Sequence, residues 1–187
     1  MKYVLPVLLA LAAALVAQQP RFTSDGQLQR PANYREWIYL STGLGMTYSG
    51  DRPNPNQFDN VFAEPTAYRE FLKTGKWPEG SMLALELRRA QSKGSINADG
   101  HYQGEFVAVE VTVKDSKRFK DKNGWAYFGF SGTRTTAAAF DEKAGCNACH
   151  SKNAAVENTF VQFYPTLLEV ARAKGTLRPS YAQGETH

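Results

Sequence analysis

Apolar and polar residues alternate along much of this chain. The sharpest run covers 102–113, with Val107, Val109, Val111 and Val113 on one face and Phe106, Ala108, Glu110 and Thr112 on the other. A period of two sends successive side chains to opposite faces, and the β-branched content suits a pleated surface, so the run predicts a strand. Residues 82–89 repeat the pattern, with Leu83, Leu85 and Leu87 facing one way and Ala84 and Glu86 the other. Shorter extended runs cover 37–44, 58–63 and 125–130. The period changes in two places. Tyr68, Phe71 and Leu72 fall at i, i+3 and i+4 between Glu64-Pro65 and Gly75. Leu167, Leu168 and Ala171 do the same between Pro165 and Gly175. Proline suits a first helical turn and glycine the position beyond a last one, so both segments predict helices.

Breakers account for the rest. Residues 49–57 read as a loop, 77–80 as a turn, 91–101 as a polar connection and 114–123 as a solvated turn or short helix. Residues 18–33 read as an arm and 176–187 as a loose tail. Strands predominate, which argues against a helix bundle, and there is no internal repeat or second domain boundary. A length of 187 residues fits one domain.

The N-terminus is different in kind. Met1-Lys2 precedes an apolar stretch from Val4 to Val16, and Leu15-Val16-Ala17 ends on a small residue. That pattern predicts a secretory signal over 1–17, cleaved after Ala17, with residues 18–187 exported to a Gram-negative periplasm. The apolar stretch is short of the ~20 residues a membrane span needs. Net charge is +4 with both signs dispersed. No basic run is interleaved with aromatics, which argues against nucleic-acid binding. Aromatics make up 12% of the chain, enough to bury a large flat apolar cofactor.

Chemistry concentrates in Cys146-Asn147-Ala148-Cys149-His150, which holds both cysteines of the chain. C-x-x-C-H is the attachment signature of c-type haem: two thiols add across the vinyl groups, and the adjacent imidazole becomes the proximal iron ligand. Structural zinc needs about four ligands, and no second cysteine pair exists to supply them. A redox C-x-x-C would not require the histidine. The expectation is one covalently attached haem c per chain, with His150 on the iron. For the second axial position, His101 lies in a turn and His187 ends a polar tail. Met46 lies among glycines, and Met82 opens a strand and reads as core. The economical reading is five-coordinate iron that binds small ligands. A six-coordinate electron carrier is the alternative.

An ordered set of short motifs also resembles a family. Pro31-Ala32-Asn33-Tyr34-Arg35-Glu36-Trp37, the turn from Thr74 through Trp77-Pro78-Glu79-Gly80, Val113-Lys114-Asp115 through Phe119, Gly124-Trp125-Ala126, the haem motif and Phe163-Tyr164-Pro165 together look like the cytochrome P-460 family. The resemblance implies an α+β fold: a mainly antiparallel sheet with flanking helices, one c-type haem and a homodimer. It also implies a choice between two branches. Cytochrome P-460 enzymes oxidise hydroxylamine and carry a haem cross-linked to a lysine five residues beyond the turn glycine. Counted from Gly80, that position is Leu85. The β-type cytochromes c′ lack the cross-link and bind nitric oxide and carbon monoxide at a crowded distal face. Leu85 therefore favours the second branch, with hydroxylamine oxidation as first alternative and electron transfer to a partner cytochrome as second.

Leu85, Phe58 and Phe62 are the candidates for an apolar distal cap, which would admit neutral diatomics. Hydroxylamine oxidation would also need a carboxylate to move protons. By resemblance an acidic residue lies just before the first haem cysteine, where Asp141 and Glu142 stand here. Arg134 is a candidate partner for a haem propionate or a bound ligand, or else a surface arginine.

Overall fold

The structure, a computed structural model, describes residues 18–47 and 56–182. The expected leader, the tip of the 49–57 loop and His187 lie outside the described residues.

Five strands form one antiparallel sheet in chain order: β2 (Ile38–Leu44), β3 (Gln57–Ala63), β4 (Met82–Gln91), β5 (Tyr102–Lys114) and β6 (Trp125–Ser131). A two-stranded ladder joins β1 (Leu28–Gln29) to β7 (Thr136–Ala137). Helices are α1 (Pro65–Thr74), α2 (Cys146–Asn153), α3 (Pro165–Lys174) and the short α4 (Pro179–Ala182). The architecture is the α+β fold that the resemblance implies, and the alternation places its main strands.

Local chemistry sets the boundaries. Proline occupies the first turn of α1 and α3, and a left-handed glycine follows each, Gly75 and Gly175. The Glu64 carboxylate accepts the Thr66 and Ala67 amides at 2.9 and 2.8 Å, satisfying donors that a helix start leaves unpaired.

The sheet has two buried faces. In register, Ala63, Leu83, Thr112 and Tyr127 lie side by side, as do Val61, Leu85, Glu110 and Gly129, and then Asp59, Leu87, Ala108 and Ser131. Ala63, Leu83, Tyr127 and Trp125 on this side pack with Phe71 of α1 and with Leu167 and Ala171 of α3. On the opposite side Ala84, Val109, Val111, Val113, Phe128 and Phe130 pack under Leu28, Tyr34 and Trp37 of the N-terminal segment. Met82 belongs to that second core, 1% exposed.

Some expectations need correcting. The alternation over 102–113 breaks at a bulge: Leu87 pairs with Ala108 but Arg88 with Phe106, leaving Val107 unpaired. One extra residue reverses the facing of everything before it, so Phe106 joins Val109 and Val111 on one core. Phe58 and Phe62 do not cap a site with Leu85. In β3 it is Val61 that pairs with Leu85 and Asp59 with Leu87, so the even-numbered residues face the other way. Phe62 packs edge-on against Tyr34 and Tyr39. The arm over 18–33 contains β1, and the tail is held through Ala182 by α4 and Arg178.

Candidate haem site

A cavity of about 780 Å³ opens between the sheet face bearing Leu83, Leu85 and Glu110 and the segment from α2 to Tyr164. This lies within the roughly 300–1,000 Å³ of pockets that bury small ligands. Cys146, Cys149 and His150 all line it.

The motif is fixed in place by its surroundings. Asp141 caps a 3-10 turn through the Ala144 amide, and Gly145 ends that turn at φ +73°. The left-handed conformation suits a residue without Cβ, and it lets the chain reverse directly into Cys146. Asn147, inside the motif, donates to the Lys122 and Trp125 carbonyls at 2.9 and 3.2 Å, tying α2 to the start of β6. Both cysteines are half-buried free thiols. Burial, with the negative charge of Glu110, pushes the Cys146 thiol above its usual range.

His150 is oriented as an axial ligand requires. Its Nδ1 lies 2.8 Å from the Asn158 carbonyl. A carbonyl only accepts, so Nδ1 carries the proton and Nε2 keeps its lone pair. The imidazole is flanked by Tyr127 and Phe160, ring centroids 4.4 and 4.3 Å away. Burial lowers its pKa, favouring the neutral form that binds metal. Burial also pushes the Tyr127 phenol well above its ordinary value; its hydroxyl donates to the same Asn158 carbonyl at 3.4 Å. Two thiols one helical turn apart, an imidazole with a fixed tautomer, and aromatic and aliphatic walls suit a covalently held haem.

Other candidates divide. Leu85 lines the cavity, flanked by Val61 and Glu110. Met46 also lines it and folds against Gly43, where a Cβ would collide with its thioether. Asp141, Glu142 and Arg134 are exposed and are not among the lining residues. His101 is exposed in its turn.

The lining carboxylates are Asp59 and Glu110, which sequence reasoning missed. Burial raises the pKa of both, and for Glu110 the charge of Asp59 adds to it. In the sequence pattern Glu110 falls on the face opposite the valines, and a carboxylate in the middle of so regular a strand is the available signal. Asp59 has none, because the facing of β3 is decided only by its pairing with β4.

No curated protein matches the chain. The family model described as Cytochrome P460 matches residues 31–161, more than two thirds of the length. That span runs from before β2 to beyond the haem-motif helix and includes Cys146, Cys149, His150 and Asn158. The chain belongs to the cytochrome P460 family, and its cofactor is haem.

Proposed function

We propose that this is an exported mono-haem c-type cytochrome that binds nitric oxide or a related small neutral ligand, in the manner of the β-type cytochromes c′. The leader over 1–17 supports a periplasmic address. Cys146 and Cys149 would hold the haem by thioethers, and His150 Nε2 would take one axial position. When bound, the haem supplies iron with a second axial position for a small ligand. The observation that carries the reading is Leu85: it lines the cavity at the position where the cross-linking enzymes have lysine, and no lysine lines the cavity among the described residues.

The remaining chemistry belongs to the chain. The Asn158 carbonyl polarises the imidazole through Nδ1–H and makes Nε2 a stronger donor. Val61, Leu83 and Leu85 offer an anion nothing to replace its lost hydration, which favours neutral ligands.

Hydroxylamine oxidation is the second reading, favoured by Asp59 and Glu110 on the cavity wall. Raised pKa values bring both carboxyls closer to the range where they exchange protons at working pH. These two, rather than Asp141 and Glu142, are the candidate proton acceptors. A homodimer remains part of the proposal through the family resemblance, and a partner cytochrome through the electron-transfer alternative.

The test is electronic spectroscopy of the ferric, ferrous and nitric-oxide-treated protein, with hydroxylamine turnover and intact mass. High-spin ferrous iron that binds nitric oxide, covalent haem and no turnover is the expected set. A far-red ferrous Soret band would reveal a cross-link and overturn the choice of branch. A low-spin six-coordinate spectrum would point to Met46 as second ligand and to electron transfer.

A further inference from the structure

The Asn158 carbonyl that orients His150 sits in a costly piece of backbone. Glu157, the residue before it, has φ +51°, a left-handed conformation disfavoured for a side chain with Cβ. Such a conformation persists only where the surroundings hold it. On one side Lys114 Nζ reaches both Glu157 carboxylate oxygens at 3.0 Å and the Trp77 carbonyl at 2.6 Å. On the other, Arg178 donates from its two terminal nitrogens to the Ser151 and Glu157 carbonyls. Its backbone amide donates to Ala155 at 2.9 Å. Tyr181 adds a hydroxyl donor to the Asn153 carbonyl at 2.7 Å. Arg178 thus spans the loop from the last turn of α2 to the residue preceding the histidine's acceptor. It also lies beyond residues 31–161, the span matched by the family model.

We propose that Arg178 is a positioning residue for the haem iron: its planar fork clamps the 151–157 loop and so sets the strength of the His150–Asn158 hydrogen bond and the donor power of Nε2. This rests on the haem reading above. Lysine keeps the charge of arginine but cannot reproduce a fork bonding two separate carbonyls. Arg178→Lys therefore isolates hydrogen-bond geometry from electrostatics. A weakened Nδ1–H bond makes the imidazole a poorer donor and destabilises ferric iron.

The experiment compares full-length wild type, Arg178→Lys, Arg178→Ala and Leu168→Ala, the last a partly buried α3 residue chosen as a control for general destabilisation. In the haem-loaded forms, Arg178→Lys should lower the Fe–His stretching frequency. It should also raise the ferrous-to-ferric ratio about threefold at the wild-type midpoint potential, where tenfold corresponds to ~59 mV for one electron. Leu168→Ala should lower Tm and leave both readouts in place. In the haem-free forms, imidazole ¹⁵N shifts should report the Nδ1–H tautomer of His150 in wild type and a mixture in Arg178→Lys. Wild type that carries no haem would overturn the haem reading, while the nitrogen shifts would still decide the clamp. Unchanged stretch, potential and nitrogen shifts in Arg178→Lys, whatever its Tm, would overturn the clamp.

Discussion

Among the bonds that anchor the turn presenting Asn158 is a buried one between side chains, and its removal has a calculable cost. Trp77 Nε1 donates to Thr159 Oγ1 at 2.8 Å, and these residues are 2% and 3% exposed. Thr159 Oγ1 in turn donates to the Val156 carbonyl at 2.8 Å. Thr159→Val keeps the shape and deletes the hydroxyl. Val156 still accepts the Thr159 backbone amide at 2.9 Å, so it loses only one of two donors. The indole N–H loses its acceptor and remains buried, which costs about 1–3 kcal/mol. For a chain of this length that lowers Tm by roughly 2–4 °C per kcal/mol. Trp77→Phe removes the donor instead and forfeits part of the indole packing on Phe71, whose ring centroid lies 4.6 Å away. In that background Thr159→Val leaves no indole unsatisfied, so the two changes couple by about 1–2 kcal/mol. Urea unfolding of the four proteins, followed by circular dichroism, measures the cycle. A Thr159→Val cost below about 0.5 kcal/mol, or an equal cost in both backgrounds, would refute the reasoning.

Three further outcomes are expected. Gly43→Ala forces Met46 off the cavity wall, because the new Cβ meets its Sδ and Cγ; nitric oxide should associate severalfold faster in stopped flow, and an unchanged rate would discount Met46 as a barrier. Glu110 has a raised folded-state pKa, through burial first and Asp59 second. Its stabilising contribution is complete below the unfolded value of about 4.3 and is lost as pH rises through the folded value. Haem-free Glu110→Gln should therefore hold its Tm better than wild type between acid and neutral pH, and parallel Tm profiles would contradict this. Glu86 is the opposite case: burial works to raise its pKa, but hydrogen bonds from Arg35 and Arg88 outweigh it and leave the pKa lowered. Its contribution is present above about 4.3 and disappears as pH falls through the folded value. At neutral pH Glu86→Gln should cost about 1–3 kcal/mol in urea titrations, moderated because Arg35 is partly solvated.

Sequence patterning located the elements well because it reads what each strand or helix does by itself. Proline and glycine at the ends of α1 and α3 fix their limits locally, and leucine alternation in β4 identifies its cavity face. What it missed depends on partners far along the chain. Facing in β3 is decided by pairing Val61 with Leu85, so Phe58 and Phe62 looked equivalent to any cavity residue until register was known. The bulge at Val107 arises between two strands and leaves no mark on a valine-rich run. Cys146, Cys149 and His150 were readable because the proposed haem attachment needs them contiguous. Asp59, Glu110 and the Asn158 carbonyl reach the same cavity from separate elements, and a backbone acceptor has no sequence signature. Asp141 and Glu142 were adjacent in sequence to the motif, and there they serve the turn that introduces it.

Helix α2 spans two turns, buries none of its residues fully and has no side-chain cap at its start. Helices so short are marginal without tertiary support. Its protein support comes from the Asn147 amide on the Lys122 and Trp125 carbonyls, the ring stack around His150, and the Arg178 and Tyr181 side chains on carbonyls of its last turn. Amide protons of Cys149 to Asn153 should consequently exchange with solvent deuterium well before those of Val109, Val111 and Val113, at the middle of the sheet. Thioether bonds from this helix to a buried macrocycle would slow that exchange selectively. On the proposed attachment this segment is thus also the most sensitive gauge of maturation: deuterium uptake there would distinguish a chain that has received its haem from one that has merely folded.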